Sequence, residues 1–302
     1  MLGETTADGQ SGMWVYVKLV AVAMIWGGTF VAGRYLAGAM EPLLAASTRF
    51  VIASLTLALV LPFTGVAWAR PSPRQWCQLA LLGSCGIFLY NLCFFFGLQH
   101  TSASRAALIV ALNPALIALA GFCFYGERLT PLRLLGIGLC LLGAGLVILG
   151  REGPLLDGAW WGDLLILGCV LSWVIYSVFS RGLSQALGPL HTVSYSIWLG
   201  TLMLCATTWA LVPGTWAMPS GGQWLSLFYL GAIGSALAYL WYYDGIRQIG
   251  ATRSGVFIAL NPLTAVLFGS MLLDERLTPQ ICIGGALAIA GIYLCNRLPR
   301  PT

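Results

Sequence analysis

Two asparagine–proline pairs lie in the middle of long apolar stretches of this chain, at Asn113-Pro114 and Asn261-Pro262. Proline removes one backbone hydrogen-bond donor from a helix, and inside a lipid bilayer the freed carbonyl group needs another partner. One interpretation is a structural kink in which the asparagine amide repairs the backbone. The other is functional: the amides bind a polar substrate, and Pro114 and Pro262 act as hinges. The two interpretations are compatible.

Aromatic side chains are the second group that could bind a ligand. Trp26 and Trp173 fall near the centres of apolar stretches, away from the membrane–water interface where tryptophan usually lies. Interhelical packing would account for any one of these side chains, whereas the whole set favours a cavity that encloses an amphipathic ligand. The predicted substrate-binding residues are Trp26, Phe30, Tyr90, Asn91, Phe94, Asn113, Trp173, Tyr176, Tyr239, Tyr242 and Asn261.

Ionisable residues are sparse in the apolar stretches, and none is clearly central. A charge at the bilayer centre costs about 3 kcal/mol on insertion scales, so a central one would mark a functional site. Asp163 and His100, near helix ends, are the candidates for proton coupling, and facilitated movement or exchange is the favoured alternative. The two histidines and nine cysteines lack metal-site spacing, so we expect no metal. No GxxxxGK[ST] motif occurs, and no cofactor is expected.

The residues above belong to a chain that is 59% hydrophobic and only 8% charged, whereas soluble domains carry about 25% charged residues. The composition therefore predicts an integral membrane protein. Its lysines and arginines are scattered singly, which argues against a nucleic-acid partner. An intramembrane enzyme would need a Ser–His pair, an Asp pair or a His-rich metal site, and the sequence shows none of these, so we expect no enzyme.

Ten stretches are long enough for a helix that crosses about 30 Å of hydrocarbon. They are 14–37, 42–62, 75–98, 103–125, 131–150, 160–181, 189–212, 223–246, 252–273 and 279–297. Strands of a membrane barrel are shorter and alternate in polarity, so the predicted fold is all-α with ten transmembrane helices. Ten Lys and Arg on one side against five on the other place both termini in the cytoplasm. That count puts Arg49 and Arg105 on the outer side, with a position inside the membrane as the alternative.

The two halves of the chain are copies of one module. Residues 97–131 and 245–279 are identical at 14 of 35 positions without a gap. Five helices per copy is an odd number, so the second copy must be inverted relative to the first. Such inverted repeats are common in secondary transporters, whose substrate site lies at the repeat interface. The predicted segments are a cytoplasmic tail at 1–13, repeats at 14–150 and 160–297, and a second tail at 298–302.

Two further patterns predict structure rather than substrate binding. The Glu-Arg-Leu-Thr-Pro signatures at 127–131 and 275–279 predict corners in which threonine caps the next helix and proline is its first residue. Glycines in the stretches 131–150 and 279–297 predict a close packing seam between these helices or between protomers.

The Trp-Gly-Gly-Thr-Phe stretch at 26–30, the Ala-Leu-Asn-Pro stretch at 111–114 and both Glu-Arg-Leu-Thr-Pro signatures resemble the EamA-type members of the drug/metabolite transporter superfamily. The resemblance covers about residues 14–297. It implies export of metabolites or toxic compounds across a bacterial inner membrane, through a central cavity lined mainly by predicted helices 1, 3, 4, 6, 8 and 9.

A transporter of this kind would have a small-molecule metabolite and the lipid bilayer as its partners, as a monomer or a homodimer. Apolar or aromatic amino acids suit the aromatic, nearly uncharged centre, moved by alternating access. The alternatives are a broad efflux carrier for drugs and, less in keeping with the pattern, a channel or a lipid flippase.

Overall fold

The computed structural model describes residues 5–126, 130–149, 160–212, 214, 217–249, 257–258 and 260–296, and within these ranges it contains helices and no strand. The all-α prediction is confirmed there. In the same part of the chain, seven helices are long and apolar enough to cross a membrane, and Asn261–Leu272 and Pro279–Cys295 are shorter apolar helices. Pro189–Leu211 has 23 residues and is long enough, but it is less apolar and is not one of the seven.

The start of the stretch predicted at 252–273 lies outside the described residues. Most described helices begin and end near the predicted bounds, although the first begins nine residues earlier, at Thr5, and the helix from Trp160 ends six residues later, at Leu187. In the first half they are α1 Thr5–Ala39, α2 Pro42–Val60, α3 Pro73–Leu82, α4 Tyr90–His100, α5 Ala103–Val110, α6 Asn113–Tyr125 and α7 Pro131–Leu149. In the second half they are α8 Trp160–Leu187, α9 Pro189–Leu211, α10 Gly221–Phe228, α11 Ala238–Ile249, α12 Asn261–Leu272 and α13 Pro279–Asn296. Ser72 and Ser220 start α3 and α10 with the same capping box, which satisfies backbone donors that a helix start leaves free.

The stretches predicted at 75–98 and 223–246 are not uniform α-helices. A π-helical segment, Gly83–Leu89, joins α3 to α4, and a second one, Tyr229–Leu237, joins α10 to α11. Segments of this kind insert extra residues into a helix and are frequent at functional sites. Because they recur at matching places in the two halves, the side chains beside them are candidates for the functional site.

The asparagine–proline pairs were expected at helix centres, and the structure shows a break there instead of a continuous kinked helix. In the first half α5 ends at Val110 and α6 begins at Asn113. Pro114 has no N–H to bond to the Val110 carbonyl, so the ladder of backbone hydrogen bonds ends at this point. Asn261 is likewise the first residue of α12.

The helices α7 and α13 pack along a seam of glycines, as the glycine pattern predicts. A Cβ atom placed on Gly143 would lie 2.5 Å from the Gly284 carbonyl oxygen, and one on Gly136 would lie 2.7 Å from that of Gly291. Only hydrogen fits at such separations, so these glycines let the two backbones touch.

We expect Gly143→Val to lower the free energy of unfolding by about 1–3 kcal/mol, because the added methyl groups would force α7 and α13 apart. The measurement is reversible unfolding of the purified protein in detergent. Gly138→Val is the matched control, since a Cβ on Gly138 of the same helix meets nothing within 4 Å. An equal loss in both variants would show that the seam is not the cause.

Candidate functional site

Trp26 of α1 reaches across to the second half of the chain. Its indole N–H donates a hydrogen bond of 3.0 Å to the carbonyl oxygen of Gly234, in the second π-helical segment. Its ring lies 5.7 Å from that of Tyr239 and 5.2 Å from that of Tyr242, between ring centroids. The half-buried indole thus has the partner that it needs, and three of the predicted residues form one group.

A second aromatic group joins α4 to α8 and α1. The Tyr90 ring lies 5.8 Å from the Trp173 ring, which stacks on Tyr176 at 5.3 Å. On its other side Tyr90 stacks with Phe94 at 6.0 Å, and Phe94 meets Phe30 edge to face at 5.6 Å. The structure therefore brings together the aromatic residues that the sequence singled out, from both halves.

The aromatic residues differ in exposure. Phe30, Phe94 and Tyr176 are buried, whereas Trp26, Tyr90, Trp173, Tyr239 and Tyr242 are only half-buried. Tyr90 and Tyr239 nevertheless lie deep among protein atoms. Five of the predicted rings thus keep surface that a ligand could contact.

Arg49 of α2 lies at the meeting point of these groups, although the sequence indicated a nearly uncharged centre and gave a position of Arg49 inside the membrane only as the alternative. The side chain is only 8% exposed. Its Nη1 donates to Asn91 Oδ1 at 3.2 Å and its Nη2 donates to Ser235 Oγ at 3.3 Å. Its guanidinium carbon lies 5.1 Å from the ring centre of Phe50 and 5.8 Å from that of Phe94. The predicted residue Asn91 thus serves to hold an arginine.

The sequence analysis missed Arg49 and Ser235 as site residues. The signal for Arg49 was available, because it is the only charged residue in the apolar stretch 42–62, and such a residue inside a membrane helix is a functional candidate by cost alone. Counting it as an outer-side charge concealed it. Ser235 carried no signal, since serine in a membrane helix is commonplace.

No acidic side chain that the structure describes pairs with Arg49. Among the described residues, the buried arginines and carboxylates are Arg49, Arg105 and Asp163, and His191 is the buried histidine. Arg105 is bound to Asp163 at 2.6 Å. In the part of the chain that the structure describes, Arg49 has only neutral acceptors, and its buried Nε has no hydrogen-bond partner. The centre of the site therefore carries one positive charge.

Asp163 and His100, the candidates for proton coupling, lie at the junction of α4, α5 and α8. Asp163 is 1% exposed; one carboxylate oxygen accepts from Arg105, and the other accepts from the Thr101 hydroxyl at 2.6 Å. Arg105 also donates to the Ile148 carbonyl at 3.1 Å. His100 ends α4 and packs against this start of α8, where a Cβ on Gly162 would lie 2.8 Å from its own. These contacts hold helices together and do not involve the aromatic groups.

Asn113 and Asn261 each keep a buried side-chain oxygen without a hydrogen-bond partner among the described residues. Asn261 lies against α1 beside the site, because a Cβ on Gly27 would come within 2.9 Å of its carbonyl oxygen. Buried acceptors that lack a donor are costly, and a ligand with N–H or O–H groups would satisfy them.

Glu275 of the second Glu-Arg-Leu-Thr-Pro signature ties the two halves together. Its carboxylate accepts from the backbone N–H groups of Ala103 and Ser104, at 2.6 and 2.9 Å, and from the Ser104 hydroxyl at 2.5 Å. It thereby caps the start of α5, where a negative charge is favourable.

The predicted threonine caps of both signatures are present. Thr278 Oγ1 accepts from the Ile281 N–H at 3.4 Å ahead of α13, and Thr130 Oγ1 accepts from the Arg133 N–H at 3.3 Å ahead of α7. Residues 127–129 of the first signature lie outside the described residues.

Comparisons with known proteins agree on one family. A sequence model of the EamA-like transporter family matches residues 13–149 and again residues 160–297. The uncharacterized transporter YyaM of Bacillus subtilis is 28% identical over 297 residues, with 95% of each chain covered. A probable terminal-alkyne amino-acid exporter of Streptantibioticus cattleyicolor is 27% identical over 280 residues, with 92% of each covered.

A solved crystal structure has the same fold, with a TM-score of 0.66 and 24% identity over 93% of this chain and 96% of its own. The apolar helices and the bacterial transporter relatives together make this a membrane transporter, and its family and these relatives are transporters rather than enzymes. From its two family matches, which cover most of its length, the chain belongs to the EamA-like transporter family of the drug/metabolite transporter superfamily.

Proposed function

We propose that this chain is a secondary transporter whose ten transmembrane helices form two inverted five-helix repeats, 14–150 and 160–297, around a central substrate site. The observation that carries the proposal is the pairing of aromatic residues across the halves, with Trp26 against Tyr239 and Tyr90 against Trp173. A site at the interface of two repeats can open to either side of the membrane as the repeats move.

The half-buried rings would line the cavity of this site, because they keep accessible surface deep in the protein. The breaks at Pro114 and Pro262 supply the hinges, since a helix without its full hydrogen-bond ladder bends more readily. The free amide oxygens of Asn113 and Asn261 would accept hydrogen bonds from the substrate during alternating access.

The substrates that suit this site are apolar or aromatic amino acids and related metabolites, which the protein would export. Aromatic walls enclose an apolar side chain, and the polar groups of the site can bind the other end of the molecule. The Streptantibioticus relative named as a probable amino-acid exporter supports the same class. Broad efflux of drugs is the alternative, because aromatic walls accept many amphipathic compounds; a channel or a lipid flippase would lack a saturable metabolite flux.

We place the protein in a bacterial inner membrane as a monomer or homodimer, with both termini in the cytoplasm. The positive-inside argument becomes stronger with the structure, because Arg49 and Arg105 lie inside the helix bundle and no longer count as outer charges. Arg34, Arg151 and Arg276 remain on that side, against ten residues on the other.

Export that depends on Trp26 is the test. In a bacterial host that overproduces the protein, we expect wild type to enrich one class of metabolite in the medium. Trp26→Ala should reduce this export roughly tenfold, because it removes both ring contacts and the bond to Gly234. Trp209→Ala, at a tryptophan that is 77% exposed, is the control and should export normally at equal abundance. Equal export by all three proteins would refute a site at Trp26.

A further inference from the structure

The Arg49 guanidinium is held in a way that leaves room for a stronger partner. It has five N–H donors, and the described contacts use one on Nη1 and one on Nη2, at 3.2 and 3.3 Å. Those distances are long for a charged group, which bonds to an oxyanion at about 2.7–2.9 Å. A buried cation with neutral acceptors alone is unfavourable unless an anion joins it.

The two neutral acceptors come from opposite halves of the chain and from matching surroundings. Asn91 follows the first π-helical segment, and its amide N–H bonds to the Ile87 carbonyl at 2.7 Å. Ser235 lies within the second segment and donates to the Leu230 carbonyl at 2.9 Å. Both side chains are thus oriented by their own helices to present an oxygen to Arg49, which fixes the guanidinium where the two halves meet.

The second half has no counterpart charge. A Cβ on Gly231 would lie 2.5 Å from the Arg49 carbonyl oxygen, and a Cβ on Gly83 would lie 2.8 Å from the Ser196 carbonyl oxygen. Gly83 and Gly231 occupy matching positions of the repeat, so Ser196 takes the place of Arg49 in the second half. The Arg49 guanidinium thus has no charged equivalent in the second half, and it can balance one negative charge.

The surroundings of Arg49 specify what carries that charge. The rings of Phe50 and Phe94 flank the guanidinium, and the Tyr90 ring stacks on that of Phe94. An anion bound here would therefore have its remaining atoms among aromatic rings. Planar guanidinium groups match carboxylates in a two-point contact.

We infer that Arg49 binds the carboxylate of a substrate that has a single carboxylate joined to an apolar or aromatic group, and that it selects such substrates against cations of the same shape. This inference rests on the proposed function and adds the charge of the substrate to it. Arg49 then is a specificity-determining residue contributed by α2, a helix outside those that the family resemblance assigned to the cavity.

Three compounds that share a phenyl group test how substrate charge affects binding: 3-phenylpropionate is an anion, phenylalanine a zwitterion and 2-phenylethylamine a cation. Their binding to the purified full-length protein in detergent is measured by equilibrium dialysis with radiolabelled compounds. We expect wild type to bind the two carboxylates at least about 30-fold more tightly than the amine, and Arg49→Gln to lose at least about 30-fold in affinity for both. Arg49→Lys should fall between, because it keeps the charge without the planar fork.

Arg74→Gln makes the same substitution at an exposed arginine and should leave all three affinities unchanged. Size-exclusion elution and the melting temperature check that each variant is folded, and Arg49→Lys is the test variant if Arg49→Gln does not fold. Wild type that binds the amine as tightly as the carboxylates, binds none of the three, or shows no loss with either Arg49 variant would overturn the inference. Export of cationic or uncharged compounds that depends on Trp26 would do so as well, while leaving the proposed function standing.

Discussion

Replacing Asp163 with leucine should lower the free energy of unfolding by about 3–5 kcal/mol, because it leaves the Arg105 guanidinium buried without its carboxylate. The pair is 2.6 Å apart, and the Asp163 side chain is 1% exposed, so water cannot take the place of the lost partner. The Thr101 hydroxyl also loses its acceptor. Reversible unfolding in detergent, followed by circular dichroism, measures the loss.

The double variant Arg105→Met/Asp163→Leu should recover most of the stability, since apolar side chains of similar volume can replace a buried ion pair at little cost. Asp244→Leu is the matched single variant at the half-exposed Lys18–Asp244 pair, where we expect a loss of no more than about 1 kcal/mol. A double variant that loses as much stability as Asp163→Leu and Arg105→Met added together would contradict an energetic coupling between Arg105 and Asp163.

Asp163 also bears on whether transport is coupled to protons. Both carboxylate oxygens of Asp163 are occupied by partners, an arrangement that favours a structural tie, and we propose facilitated movement or exchange rather than proton coupling. Transport into vesicles under an imposed pH gradient at zero voltage tests this with Asp163→Asn. If the gradient drives transport in wild type and a folded Asp163→Asn protein loses only that component, the proton-coupled mechanism is the correct one.

Glu275→Ala should lower the free energy of unfolding by about 2–3 kcal/mol. The substitution removes the acceptor of two backbone N–H groups and one hydroxyl at the start of α5, and hydrogen bonds to a charged group contribute more than neutral ones. Chemical unfolding in detergent measures the change. The effect should appear as a less protected α5 in amide hydrogen exchange, because that helix loses its cap.

Glu275→Gln separates charge from shape, and we expect about half of the loss, since the amide keeps one oxygen that can accept. Arg276→Ala, at the exposed neighbouring residue, should unfold like wild type. A stable Glu275→Ala protein with an unprotected α5 would indicate that the cap orders the helix locally without contributing to global stability.

The positions of the helices could be predicted because length and apolarity alone decide what crosses a bilayer. The sequence also placed Trp26 and Tyr239 in one aromatic set, since aromatic residues far from the interface need partners inside the bundle, but it did not identify their contact. The end of the helix before Asn113 was only partly predicted. Proline predicts a disruption of the helical hydrogen bonds, but whether the helix bends or ends there depends on how the neighbouring helices pack.

Other features could not be read from the sequence. The two π-helical segments have no local sequence signal, and the close approach of Gly83 and Gly231 to other helices depends on the packing of distant parts of the chain. The pairing of Asp163 with Arg105 joins residues that lie 58 positions apart, and no spacing rule connects them. The hydrogen bonds of buried Arg49 come from two distant segments. The sequence therefore showed an arginine inside an apolar stretch but could not show which residues bind it.

The glycine seam between α7 and α13 is symmetric with respect to the two halves of the chain. Gly136 faces Gly291 and Gly143 faces Gly284, so exchanging the halves turns each contact into the other, as in the interface of a symmetric dimer. Cys140 bonds to the carbonyl of Ala288, its own counterpart 148 residues on. A single ancestral half would already have carried both sides of this surface, and gene duplication would have needed no new contact to join two copies. Divergence was then free to act elsewhere, leaving an arginine in one copy where the other has a serine.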